Sequence, residues 1–284
     1  MLRKTTLIAA FVGLALGAAL APGALAATTQ APLKEVSWSF EGPFGKFDQA
    51  QLQRGYKVYH DVCSTCHSMN LLSYRNLADK GGPFYKEGVN PNESPYAKAI
   101  AKDFMVPDID TDTGEAITRP ATPSDHFKAP FANEYAAKAA NGGSAPPDLS
   151  LMAKAREGGP SYIYSVLTGF TAPPAGLTVA PGKYYNPYFA GDLTSFWNGA
   201  ANQVPPGGTI SMPPPLKPNL VAFDDGTKAT VSEEAWDVAA FLAWAAEPHQ
   251  EERKQTGFAV LIYLFIFAGV LYASYRQIWS KIDH

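Results

Sequence analysis

The chain has 284 residues, with 23 Lys and Arg against 26 Asp and Glu and a formal net charge of −3. That balance argues against a nucleic-acid partner, and a count of two cysteines leaves no disulfide framework to support an exported fold. With 24 prolines and 24 glycines, long regular elements are confined to parts of the chain.

In chain order, residues 1–26 read as a signal peptide. Arg3 and Lys4 form a charged start, Leu7 to Leu20 an apolar core, and Ala24-Leu25-Ala26 a small-residue cleavage site. Residues 27–247 are expected to be an exported domain on the periplasmic side of a bacterial inner membrane. The first helix of this domain is predicted in "FDQAQLQRGYKVYHDV", where Leu52, Tyr56 and Tyr59 share one face and Asp48 can cap the start. Shorter helices are expected in "NEYAAKAAN" and "GPSYIYSVLTGF". Between and after them, stretches such as "TAPPAGLTVAPG" and "MPPPLKP" interleave with aromatic residues, which predicts ordered loops rather than a solvated linker.

A last helix of the domain is predicted in "VSEEAWDVAAFLAWAAEP", with Val238, Phe241, Leu242 and Ala245 on one face, Ser232 as cap and Pro248 as stop. Residues 248–256 read as a hinge. Residues 257–275, "GFAVLIYLFIFAGVLYASY", carry no charge and as a helix reach about 28 Å, the thickness of a bilayer core. They are predicted to be a single transmembrane anchor in contact with lipid, with Tyr272, Tyr275 and Trp279 at the headgroup level and a short cytoplasmic tail at 276–284.

The chemistry concentrates in "CSTCH", Cys63 to His67. A zinc site needs four ligands, and no further cysteines exist to supply them. A redox dithiol needs a βαβ setting that the surrounding pattern does not offer, and a plain disulfide leaves His67 without a role. Covalent haem attachment accounts for all three residues. Both thiols lie on one helical turn within reach of two vinyl groups, and a histidine directly after Cys66 becomes the proximal iron ligand. Export fits that reading.

For the opposite axial position a methionine is the common choice, and it raises the reduction potential. Met69 is too close to His67 in sequence, Met105 lies in an acidic stretch, and Met152 reads as a helical core residue. Met212 is favoured because the prolines of "MPPPL" hold the backbone extended behind it. His126 is the alternative, as one half of a bis-histidine site.

These residues resemble the cytochrome c1 family, the haem subunit of the cytochrome bc1 complex. The matching stretches are "RGYKVYHDVCSTCHSM", "YRNLA", "NEYAAKAANGGSAPPDLSLMAKAREGGPSYIYSVLTGF", "YYNPYFAG", "MPPPL", "FDDGT" and "DVAAFLAWAAEP", in family order and with one anchor after them. The resemblance implies a mainly α, class I cytochrome-c-like haem domain with long Pro/Gly-rich loop insertions, plus the C-terminal transmembrane helix. In such domains the helix before the haem motif packs on the last helix, and Gly55 with "AAFLAWAAE" suits that crossing.

It further implies one haem c on Cys63 and Cys66, with His67 and Met212 as axial ligands. The electron would come from a Rieske iron–sulfur subunit, beside cytochrome b, and leave to a soluble c-type cytochrome; the chain would not be an enzyme by itself. Asp103, Asp108, Asp110, Asp112 and Glu115 could steer a basic acceptor. Where family members often place an arginine near a haem propionate this chain has Lys138, and it lacks the extra disulfide of some bacterial relatives.

Overall fold

The helix expected ahead of the cysteine pair forms as α1, Gln49–Asp61, in a computed structural model that describes residues 30–280. The expected signal peptide and the last four residues of the tail lie outside the described residues. Asp48 caps α1 by accepting the Gln51 N–H at 3.0 Å, and Leu52, Tyr56 and Tyr59 are buried along one face as the spacing requires.

The next elements are α2, Pro95–Lys102, and an antiparallel hairpin of β1, Met105–Ile109, with β2, Ala116–Pro120. The hairpin falls in the acidic stretch around Met105, where no strand was expected because its strands bury little and lack apolar alternation. Its acidic residues have local duties. Asp108 pairs with Arg119, and Asp110 accepts the backbone N–H groups of Asp112 and Thr113 to shape the turn.

Arg119 also makes a fork to both carboxylate oxygens of Asp125, at 2.7 and 3.0 Å. This bond is the chief reason that the Asp125 carboxyl sits well below the usual carboxylate range. A folded-state value below the unfolded one gives stability that is present above about pH 4 and is lost as pH falls further. Asp125→Asn is therefore expected to cost on the order of 0.5–1 kcal/mol at pH 7 after solvent screening, with the difference from wild type vanishing in strong acid. Urea unfolding followed by haem absorbance at several pH values measures it; a pH-independent difference would contradict the assignment.

Three short helices come next: α3, Glu134–Ala140; α4, Met152–Ala155; and α5, Gly159–Leu167. The N-terminal segment is bound to α5. Trp38 Nε1 donates to Ser161 Oγ at 2.9 Å, and Lys34 donates its backbone N–H to Ser165 Oγ at 3.0 Å. The Pro/Gly-rich stretch beyond α5 is ordered, as expected from its aromatics. It holds β3, Tyr184–Asn186, paired antiparallel with β4, Gly208–Ile210, and a small second core of Leu177, Tyr185 and Leu193. Fully buried Asn186 ties this layer to α5 by donating to the Val166 carbonyl at 2.8 Å.

The main core centres on α6, Val231–Ala246, which crosses α1. Thr230, not Ser232, is its cap: Thr230 Oγ1 accepts the Glu233 N–H at 3.1 Å, while Ser232 instead meets the Tyr164 hydroxyl at 2.7 Å. The crossing sits at Gly55, where a Cβ would lie 2.1 Å from the Asp237 carbonyl oxygen and 2.7 Å from Phe241 Cβ. Beside it Arg54 binds both oxygens of buried Asp237, at 2.8 and 3.0 Å, and Asp225 at 2.9 Å.

Residues expected to form a hinge are instead mostly helical. The final helix α7, Gln250–Trp279, begins two residues after Pro248 and runs 30 residues without a break. Its apolar window has a mean hydropathy of 2.1 and is not buried against the rest of the chain, as a membrane anchor requires.

Candidate haem site

The C-terminal end of α1 delivers the cysteine pair. Past Val62 the backbone tightens into a single 3₁₀ turn, with the N–H groups of Cys66 and His67 both donating to the Cys63 carbonyl, at 3.1 and 2.8 Å. Cys63 and Cys66 thus share one turn, both as free thiols and both half-buried. Burial pushes the Cys63 thiol up to about 12, the opposite of the depressed value that a redox thiolate needs. Among the described residues no three His, Cys, Asp or Glu side chains gather into a metal site, which leaves a zinc clip without donors.

His67 is oriented from across the chain. Its Nδ1 lies 2.8 Å from the Pro147 carbonyl oxygen, which can only accept, so the proton sits on Nδ1 and the Nε2 lone pair is left for a metal. Burial pushes the imidazole toward its neutral, ligating form. Asp148, the next residue, fastens the rest of the loop. It accepts from Ser68 Oγ and from the Asn70 N–H, each at 2.8 Å, while Leu149 N donates to the Ser68 carbonyl at 2.9 Å.

The remaining candidates separate clearly. Met69 is fully buried in the core, Met105 is exposed on β1, and Met152 begins α4 and packs against the core. His126 is exposed, and a backbone bridge pairs it with Ser73. Met212 is half-buried just after β4, and its neighbour Ser211 is bonded at 2.9 Å to Ser144.

Ser144 lies three residues before Pro147, so one short segment holds both the His67 ring and the Met212 loop. Lys183 Nζ adds a second tie to Ser211 at 2.5 Å. A cavity of about 660 Å³ opens beside this loop, between Leu167, Val179, Tyr185, Pro214 and Leu216, and the cysteine turn does not line it. Lys138, the suspected propionate contact, makes a different bond: its ammonium pairs at 2.6 Å with Glu134 one turn back on α3.

Sequence reasoning missed Pro147, Asp148 and Ser144. The one available signal was the run "GGSAPPDLS", whose prolines stiffen a segment that carries no helix or strand pattern. The side chains present fit a c-type haem: paired thiols on one turn, an imidazole with Nε2 available, and a methionine next to Ser211, which bonds to the segment that orients that imidazole.

Comparison with known proteins agrees. The Cytochrome C1 family model matches residues 38–282. Cytochrome c1 of Rhodospirillum rubrum is 43% identical over 297 residues, covering 99% of this chain and 98% of that protein. The mitochondrial heme protein cytochrome c1 1 of Arabidopsis thaliana is 43% identical over 249 residues, 87% of this chain and 72% of the relative. Cytochrome b/c1 of Bradyrhizobium diazoefficiens is 44% identical over 262 residues; the match takes in 86% of this chain, which spans only 35% of that longer protein. A family match over residues 38–282, with relatives that align over most of both chains, shows that the chain belongs to the cytochrome c1 family and is a c-type haem protein.

Proposed function

We propose that the chain is the electron-transfer haem subunit of a bc1-type membrane complex, with Cys63 and Cys66 as thioether sites and His67 and Met212 as axial ligands. Electrons would arrive one at a time from a Rieske iron–sulfur protein, beside cytochrome b, and leave to a soluble c-type cytochrome. The longer relative named cytochrome b/c1 supports that company. We place the haem domain on the periplasmic side of a bacterial inner membrane, with residues 1–26 removed and α7 as the single anchor. The observation that carries the reading is the convergence of the His67 ring and the Met212 loop on residues 144–147.

Bound haem c supplies a one-electron couple. The residues of the chain do the rest without making or breaking a substrate bond. Pro147 holds the imidazole proton on Nδ1, which raises ligand basicity and fixes the ring plane. Asp148 immobilises residues 68–70. Such rigidity keeps reorganisation small when charge changes, and nothing in this arrangement asks for a general base or a nucleophile. Of the five acidic residues considered for docking, Asp108 is paired with Arg119, whereas Asp110 accepts only backbone N–H groups and keeps its charge, so Asp103, Asp110, Asp112 and Glu115 would carry most of any steering of a basic acceptor.

Redox-difference spectroscopy on the membrane complex purified through this chain tests the proposal. A low-spin c-type spectrum that ignores added ligands, accompanied by b-type haem, is the expected result. A chain that purifies without b-haem would be a free electron shuttle, and an iron site open to added ligands would indicate a peroxidase-like role; either outcome overturns the proposal.

A further inference from the structure

The start of α7 does more than enter the membrane. A loop at residues 40–47 grips its first two turns: Lys254 Nζ donates to the carbonyls of Phe40 and Gly45, at 2.6 and 3.3 Å. Glu251 accepts the Phe47 N–H at 2.9 Å, and the rings of Phe44 and Phe258 meet edge-on at 5.6 Å. Between loop and helix lies a cavity of about 250 Å³, lined by Phe44, Lys46, Glu251, Lys254, Gln255 and Phe258 among others.

Three features of this cavity converge on one kind of occupant. Two of the three N–H donors of Lys254 are spent on carbonyls, which aims the ammonium and leaves a third donor. Lys46 adds a second positive charge at the rim, while one oxygen of Glu251 is already engaged by the loop backbone. Phe44 is 72% exposed and Phe258 50% exposed, large apolar surfaces beside the start of the uncharged run of α7. The volume suits a phosphate group and a small substituent but not acyl chains, which would have to run outside along Phe258.

We propose that this cavity binds the phosphodiester headgroup of a membrane phospholipid, with Lys254 and Lys46 meeting the phosphate. The site would seal the joint between haem domain and anchor, holding the one against the other at a fixed height above the bilayer. It rests on α7 being membrane-embedded and not on the route the electrons take.

The test is phospholipid phosphorus per haem in the purified complex after a common detergent wash. Two variants perturb the cavity while leaving the Lys254 bonds to Phe40 and Gly45 in place: Lys46→Glu reverses the rim charge, and Gln255→Trp fills the space. Each is expected to retain one lipid equivalent fewer than wild type, with an unchanged haem spectrum. Added phosphatidylglycerol micelles should restore the lost equivalent to delipidated wild type and not to either variant, and inorganic phosphate should not displace it. Equal lipid retention in all three proteins would overturn the proposal. So would displacement by inorganic phosphate, which would mark a free-anion site, or shielding of Lys46 from acylation in fully delipidated complex, which would assign the cavity to a neighbouring subunit.

Discussion

Gly55→Ala is expected to cost the haem domain on the order of 2 kcal/mol or more, although alanine is the better helix former. The propensity gain in a helix interior is about 0.5–1 kcal/mol. Against it stands a methyl group placed 2.1 Å from the Asp237 carbonyl oxygen and 2.7 Å from Phe241 Cβ, far inside van der Waals contact. Neither neighbour is the free end of a flexible side chain. To accept the methyl, α1 and α6 must move apart, which costs about 1–3 kcal/mol in overpacking alone.

Separation also stretches the bonds that Arg54 makes to buried Asp237, and breaking a buried pair leaves an uncompensated charge. Because α1 ends in the cysteine turn, the displacement reaches the haem site directly. The expected readout is reduced haem c per chain in the membrane fraction and a lower unfolding midpoint for whatever matures. A variant with wild-type haem content and midpoint would show that the crossing tolerates more separation than its geometry suggests.

Met212→Leu is expected to lower the reduction potential by about 100 mV or more. A thioether favours the reduced iron, so its loss shifts the couple downward. Leucine preserves most of the volume and the apolar character of the position, so repacking should cost under about 1.5 kcal/mol and the fold should survive. Ser211 would still hold Ser144, which keeps the loop in place and confines the effect to the ligand. Potentiometric titration followed at the haem c band measures it, and addition of imidazole should bind the variant but not wild type. An unchanged potential would remove Met212 from the iron and reopen the question of the sixth ligand.

Much of this protein was readable from short-range pattern. The haem motif needs only five consecutive residues on one turn, and Cys63 to His67 form that turn as expected. The stripe of Leu52, Tyr56 and Tyr59, the Asp48 cap and the uncharged run of 257–275 are also local rules, and each took the predicted form. The close crossing at Gly55 could be anticipated because only glycine lacks the side chain that would block it. Local rules failed where the competing choices were nearly equal. Thr230 and Ser232 are both capping residues two positions apart, and the Tyr164 hydroxyl decided between them by engaging Ser232. The β1–β2 hairpin was invisible because its strands face solvent and carry no alternating pattern.

The sequence by itself therefore determined the cofactor chemistry, the two principal helices and the anchor, because covalent attachment, helical periodicity and bilayer thickness act over consecutive residues. Only the tertiary structure decided how the site is held. The hydrogen bond from His67 to Pro147 spans 80 positions, that from Ser144 to Ser211 spans 67, and the Lys254 grip on Phe40 spans 214. Such bonds join segments whose pairing has no periodic signature in the sequence, and they need the tertiary fold to bring distant residues within about 3 Å. The same long-range closure turned an apparent hinge into the clamped first turns of α7, because carbonyls at 40 and 45 were available to a lysine that the sequence showed only as a flanking charge.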